Sequence, residues 1–164
     1  MCFKKLISWR YTKEIPVSQL LKNPQKILVL LPLHTYQLSS FIPALQFLRN
    51  KFKTAEIIGV LKQGDALFFE RSGAFNKIIK YESKPRFMSR QYFRLRSKLR
   101  NIKASLSFDF NLHTDLLSWL GGATLRVGLQ DSPFIKCRVK LSKVLNEEEQ
   151  ALGLVKTVCI GHYV

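Results

Sequence analysis

The amino-acid sequence predicts an α/β fold, with a mostly parallel sheet of about five to six strands and helices on both faces. Residues 26–32 form an unbroken apolar run closed by Pro32, which is typical of a strand buried on both faces in a parallel sheet. Residues 41–52 then carry apolar side chains at steps of three and four, the spacing of an amphipathic helix. The same alternation recurs along the chain, which favours a doubly wound sheet.

Further strands and helices follow this first unit. Strands are predicted at residues 55–61, 76–81, 104–110 and 125–129, with the more polar 76–81 strand placed nearer a sheet edge. Helices are predicted from 63–65 to 72–73, over 88–103 and over 114–120. Beyond residue 129 we expect residues 139–145 to be strand or loop, 146–150 to begin a capped helix, and 155–160 to form a last strand. Residues 26–164 then make one domain, preceded by a basic extension of residues 1–25.

The charge balance is the least ordinary feature of the composition. The 164 residues include 27 Lys and Arg against 11 Asp and Glu, a formal net charge of +16. Such a charge calls for an anionic neighbour, which could be nucleic acid, anionic lipid or an acidic protein surface. With 46% hydrophobic and 23% charged residues, the composition excludes a disordered chain and a membrane-spanning bundle. Three cysteines without a C-x-x-C spacing predict neither a disulfide framework nor zinc, and they fit a reducing cytoplasm.

The helix predicted over 88–103 concentrates much of this charge. Met88, Tyr92, Leu95, Leu99 and Ile102 step along one face, which we expect to be buried. No acidic residue lies between Glu82 and Asp109, and mixed-sign charge is the usual pattern of a merely solvated face. We therefore predict an anion or partner contact through the basic residues of this segment, which are Arg86, Arg90, Arg94, Arg96, Lys98, Arg100 and Lys103.

The amino-terminal extension mixes basic and apolar residues in a pattern suited to a short helix on a membrane interface or a partner. The residues predicted to make this contact are Phe3, Lys4, Lys5, Trp9 and Arg10. The alternative is a tail that docks on its own domain.

Several local patterns, taken in order, resemble the amino-terminal half of heptosyltransferases of glycosyltransferase family 9. They are residues 26–30, Pro43 to Leu45, Leu48 with Arg49, 51–52, 55–58, 107–110, and Gly122-Ala123 followed by Arg126 to Gly128. The resemblance covers residues 26–129 and implies a Rossmann-like domain. It also implies a family architecture of two such domains, with the acceptor sugar or lipid A on the first and the nucleotide-sugar on the second. We expect no second domain within this chain.

The resemblance also places a Gly-Asp pair in the loop after the first strand, the aspartate being the family's expected base. Tyr36 and Gln37 occupy these positions here. An amide cannot accept a proton usefully near neutral pH, and tyrosine replaces a glycine where the backbone would approach a ligand. His34 is a weak substitute base, because a lone loop histidine is more often simply exposed. Phosphate-binding glycine loops, zinc-protease and serine-esterase motifs are absent from the sequence, so we expect no catalytic residue, cofactor or metal.

Three functions fit these patterns. The preferred one is a non-catalytic accessory subunit derived from a glycosyltransferase half, which binds an acidic protein surface in a larger complex, or anionic lipid, on the cytoplasmic face of the membrane. The first alternative is the acceptor-binding half of a two-chain glycosyltransferase. The second is a basic module for nucleic acid, ranked lowest because the sequence shows no exposed aromatic residues interleaved with the basic ones and no known recognition motif. No small-molecule sugar donor is expected.

Overall fold

A computed structural model of the protein describes residues 21–31, 38–82, 89–110, 115–129, 135, 137–139 and 146–160. Within these residues the chain forms one sheet of six strands in the order β3-β2-β1-β4-β5-β6. The strands are β1 Lys26–Leu30, β2 Glu56–Lys62, β3 Lys77–Tyr81, β4 Leu106–Asp109, β5 Leu125–Gly128 and β6 Cys137–Arg138. Every neighbouring pair is parallel, so the predicted parallel α/β sheet is confirmed.

Helices cover both faces of the sheet, as predicted. They are α1 Ile42–Lys51, α2 Ala66–Ser72, α3 Arg90–Ile102, α4 Asp115–Leu120 and α5 Glu147–Ile160. Short 3-10 turns at Leu38–Phe41 and Gln63–Asp65 lead into α1 and α2. Buried residues of α1, α2 and α5 pack on one face of the sheet, and those of α3 and α4 pack on the other.

Strand β1 sits at the centre because its residues are apolar on both sides. Successive strand residues point to opposite faces. Ile27 and Val29 join the core under α1 and α5, whereas Leu28 and Leu30 join the core under α3. This explains the unbroken apolar run that marked the strand in the sequence.

The direction of winding reverses beside β1. From β1 the chain steps outward to β2 and β3, then returns through α3 to β4 on the other side of β1 and continues outward to β5 and β6. The carboxyl ends of β1 and β4 therefore flank a topological switch point, where open α/β sheets commonly bind ligands. β3 lies at the sheet edge, as its polar sequence predicted.

Asn76 joins three elements at the amino end of β3. Its Oδ1 accepts hydrogen bonds from the Ile57 backbone N–H at 2.8 Å and from Arg49 Nη1 at 3.0 Å. Because Asn76 also donates its own N–H to the Ile57 carbonyl at 2.8 Å, it fixes the start of β3 on β2 and on the end of α1.

The prediction of a strand at residues 155–160 is wrong. These residues are the second half of α5, which begins with the predicted cap. The Glu149 N–H donates to Asn146 Oδ1 at 2.8 Å, and the Asn146 N–H donates to Glu149 Oε2 at 3.0 Å, a reciprocal capping box. Val155 and Val158 favour strand by propensity, yet packing of the helix against α1 overrides it. Of the segment 139–145, predicted as strand or loop, Val139 directly follows β6 and is buried, whereas 140–145 lie outside the described residues.

Candidate anion-binding site

Helix α3 forms as the sequence predicts. Ser89 caps its amino end, the Ser89 Oγ accepting a hydrogen bond from the Tyr92 N–H at 3.1 Å. Tyr92, Leu95, Leu99 and Ile102 of the predicted apolar face are buried against the sheet, whereas Met88 lies outside the described residues. Lys103 ends the helix in the left-handed region, with φ 53°.

The basic residues of α3 point away from that core. Arg90, Arg94, Lys98, Arg100 and Lys103 are exposed, and Arg96 is half-buried. None of these six forms an ion pair with a carboxylate of the described residues, whereas elsewhere Lys26 pairs with Glu56 at 3.7 Å and Lys80 with Glu70 at 2.7 Å. Helix α3 therefore presents a positive surface that this part of the protein does not neutralise; we call these six residues the α3 basic face.

An aromatic side chain stands among these charges, contrary to the sequence interpretation. Phe93 is 44% exposed, although its ring touches that of Tyr92 edge to face at 5.4 Å. Its position off the apolar stripe of α3 indicates an exposed side chain, and this signal is present in the sequence. One ground for ranking nucleic acid lowest is thereby removed, since an exposed aromatic beside arginines suits base stacking as well as a lipid or protein surface.

A cavity of about 210 Å³ lies beside α3, at the carboxyl ends of β2 and β3. It is lined by Gln63, Lys80, Tyr81, Glu82, Gln91, Arg94, Leu95 and Lys98. The cavity thus lies at the carboxyl edge of the sheet, the edge at which open α/β sheets bind ligands, but beside the outer strands and not at the switch point between β1 and β4. Only Arg94 and Lys98 of this set were candidates from the sequence, because the others come together only when the two strand ends meet the helix.

Tyr81 is the most enclosed polar group of that lining. The residue is 8% exposed, and its hydroxyl has no hydrogen-bond partner among the described residues. Burial, with smaller contributions from the charges of Asp65 and Asp109, raises the pKa of Tyr81 to about 12. The hydroxyl therefore keeps its proton at neutral pH and can donate it in a hydrogen bond.

Three polar residues are buried between β4 and β5 on the α3 side of the sheet. Ser107 and Asp109 of β4 are 0% and 1% exposed, and Arg126 of β5 is 7% exposed. Arg126 Nη1 donates to the Ala123 carbonyl at 3.0 Å, and each of the three makes further interactions. The fold places Asp109 at the switch point and within electrostatic reach of Tyr81.

Several other predicted or candidate residues contribute little chemistry or cannot be placed. Burial raises the pKa of the Cys137 thiol and raises that of Cys159 to about 11, so neither is an activated nucleophile. No trio of His, Cys, Asp or Glu side chains in the described ranges could hold a metal ion. The predicted residues that lie outside those ranges are Phe3, Lys4, Lys5, Trp9, Arg10, His34, Tyr36, Gln37 and Arg86. Over the described part of the chain, no helix has both the length and the apolar character needed to span a membrane.

Comparison with known proteins supports the fold assignment. No protein-family model and no curated protein matches the chain. A solved structure described as the glycosyl transferase family 9 from Veillonella parvula DSM 2008 is similar, with a TM-score of 0.68 and 18% sequence identity. The chain has a glycosyltransferase-like Rossmann fold. The match covers 82% of this chain but 41% of the Veillonella chain, so this protein spans about two fifths of that length.

Proposed function

We propose that this protein is a glycosyltransferase-derived domain that acts as a non-catalytic accessory subunit, with the α3 basic face binding an acidic partner assembly at the cytoplasmic membrane surface. The observation that carries the proposal is the set of six basic residues on α3 with no carboxylate partner among the described residues. The predicted contact of the amino-terminal extension with a membrane or partner belongs to the same proposal.

Retaining these charges is unfavourable for the isolated helix. Arg90, Arg94 and Lys98 follow one another at four-residue spacing, as do Arg96 and Arg100. Like charges at this spacing lie side by side on a helix and destabilise it by about 0.2–0.5 kcal/mol per pair. An external anionic surface would convert this repulsion into binding energy, which supports a partner over a merely solvated face.

The absence of sugar transfer is also part of the proposal. The resemblance places Gln37 where a base would be needed, and an amide does not supply one. The fold is consistent with descent from a transferase, whereas the use of the domain for attachment is our inference.

The deciding experiment compares two charge-reversed full-length variants in native pull-downs from membranes. Arg90→Glu with Arg100→Glu changes the α3 basic face at residues that do not line the cavity. Lys53→Glu with Lys156→Glu makes the same change in net charge at exposed sites outside α3. We expect the α3 variant to lose an acidic partner that the control retains.

Two outcomes would overturn the proposal. Equal retention or equal loss of the partner by both variants would remove the specific role of α3. Transfer of an activated sugar by the purified chain alone would show that the domain is catalytic.

A second candidate, the acceptor-binding half of a two-chain glycosyltransferase, is favoured by one observation. The polar cavity lies at the carboxyl ends of β2 and β3, where an acceptor could bind in this fold. This candidate requires sugar transfer when the protein is mixed with a nucleotide-sugar-binding chain, and loss of that transfer when His34 or Gln37 is changed.

A further inference from the structure

We propose that Phe93 is the apolar anchor of the contact made by the α3 basic face, and that the partner is an acidic protein surface with apolar side chains at its centre. This assignment rests on the proposed function and adds the chemistry of the partner. Anionic lipid and nucleic acid are the two other surfaces that an exposed aromatic among arginines could contact, and the experiment below distinguishes them.

Phe93 lies within the positive surface of α3. Residues three or four positions apart are neighbours on a helix, so Arg90 flanks Phe93 on one turn, and Arg96 and Ser97 flank it on the next. Arg100 lies one turn further along the same side. The Phe93 side chain is 44% exposed, so a partner that meets these arginines also meets the ring. Aromatic residues and arginine are the types enriched in protein interfaces and among their energetic centres.

The ring of Phe93 is held in place by the folded protein itself. Its backbone N–H donates to the Ser89 carbonyl at 3.1 Å, and the Oγ of the same serine caps the helix. The ring also contacts that of buried Tyr92 edge to face, with centroids 5.4 Å apart. A side chain that is already ordered loses less conformational entropy when a partner binds, so Phe93 suits the role of an anchor.

The remaining surface of α3 does not suit insertion into lipid. A helix that lies in a membrane interface presents a continuous apolar stripe to the acyl chains. The stripe of α3 is buried in the core, and Phe93 is the single exposed large apolar side chain of this helix. One ring buries little area in a bilayer, whereas a few residues carry most of the binding energy of a protein interface.

The same observation disfavours nucleic acid. Surfaces that bind single strands stack successive bases on several aromatic side chains, and contacts to a duplex backbone require none. Among the described residues, another exposed aromatic side chain is that of Phe68, which belongs to α2 on the opposite face of the sheet. Helix α3 therefore offers one ring where a stacking surface needs several.

The first test measures binding of the full-length protein to two synthetic polymers of equal length, poly-glutamate and a random copolymer of glutamate and tyrosine. The first offers charge alone, and the second adds apolar rings. We expect about tenfold tighter binding of the copolymer, and Phe93→Ala should remove this preference without changing the affinity for poly-glutamate. Leu67→Ala, the matched control, removes an exposed apolar side chain from α2 and should change neither affinity.

The salt dependence of copolymer binding separates the anchor from the charges. Raising NaCl from about 0.05 to about 0.3 M screens the arginines, so the affinity of the unmodified protein should fall. Phe93→Ala should reduce the affinity at every salt concentration by one constant factor. Arg100→Gln should instead make the affinity less sensitive to salt.

Three outcomes would overturn the anchor. They are equal affinity of the unmodified protein for the two polymers, equal effects of Phe93→Ala and Leu67→Ala, and an effect of Phe93→Ala that is larger for phosphatidylserine vesicles or a thymidine oligonucleotide than for the copolymer. The last result would assign the ring to lipid or nucleic acid.

The native pull-down distinguishes failure of the anchor from failure of the proposed function. Retention of the partner by Arg90→Glu with Arg100→Glu contradicts the proposed function. Loss of the partner by that variant, together with full retention by Phe93→Ala, contradicts the anchor alone. If both proposals hold, Phe93→Ala weakens capture and Leu67→Ala does not.

Discussion

Lys103 and Gly73 end their helices in the same left-handed conformation, with φ 53° and 62°, but one carries a Cβ and the other does not. A Cβ in this region costs about 1 kcal/mol. We expect Lys103→Gly to raise the free energy of unfolding by about that amount over Lys103→Ala, a control that removes the same charge. Gly73→Ala should lower it by about 1 kcal/mol, because an added Cβ is disfavoured at φ 62°, and no atom lies within 4 Å of that Cβ to add a clash. Urea unfolding measures all three, and a Lys103→Gly variant no more stable than Lys103→Ala would contradict the assigned conformation.

The phenol of Tyr81 makes stability depend on pH at the alkaline end. Its pKa is about 12 in the folded protein and near the ordinary value of 10.0 when unfolded. Between these values the unfolded state releases the proton first, so stability should be fully present below pH 10.0 and fall as the pH rises toward 12. Tyr81→Phe should lose less stability over this window, as chemical denaturation at each pH would measure. Parallel curves for the two proteins would show that the phenol is not buried as described.

At the residue scale, the sequence reveals side chains whose role follows from their own helix. The buried stripe and exposed cations of α3 were predictable because helical spacing alone determines which face each occupies. Tyr81 was not, since its enclosure depends on a strand end and on a helix that begins several residues later. The exposure of Phe93 was predictable from its position off the apolar stripe, although it was not predicted.

At the scale of elements, α5 shows how a local cap and distant packing together decide secondary structure. Its predicted start was correct because the capping residues Asn146 and Glu149 are neighbours in sequence. Its second half was predicted as strand because Val155 and Val158 favour that state, and their contact with the α1 layer is invisible in the sequence.

The cap of α5 gives a direct test of this helix. Asn146→Ala removes the acceptor for the Glu149 N–H, so we expect the free energy of unfolding to fall by about 1 kcal/mol. Asn101→Ala is the matched control, an exposed asparagine within α3, and should change stability by less than about 0.5 kcal/mol. Thermal unfolding of both variants measures the difference. A stability of Asn146→Ala equal to that of the unmodified protein would argue against the capping box.

At the scale of the whole molecule, the fold class was predictable and the cavity was not. Apolar runs such as the one in β1 mark buried strands, and their alternation with helices restricts the architecture to a parallel sheet. The alternation does not determine the strand order, in which β4 lies beside β1 and not beside β3. The cavity depends on this return of the chain through α3, and no single stretch of sequence carries it.

The net charge of +16 predicts a stability that rises with salt. Screening weakens repulsion among the cations, so raising NaCl from about 0.02 to about 0.3 M should raise the Tm by about 2–4 °C. Replacing Arg94, Arg96 and Arg100 by Gln should reduce this response more than replacing Lys53, Lys77 and Lys156 by Gln, because only the first set is crowded on one helix. Equal responses in scanning calorimetry would show that the repulsion is spread evenly.

The two helical layers differ in electrical character. The α3 basic face lies on one side of the sheet, whereas the exposed carboxylates Glu147, Glu148 and Glu149 begin α5 on the other. An anionic surface would therefore exert a torque on the protein once the protein and the surface are within the screening distance of about 8 Å. The protein would therefore bind in one orientation, with α3 facing the anionic surface and the layer of α1 and α5 facing the solvent.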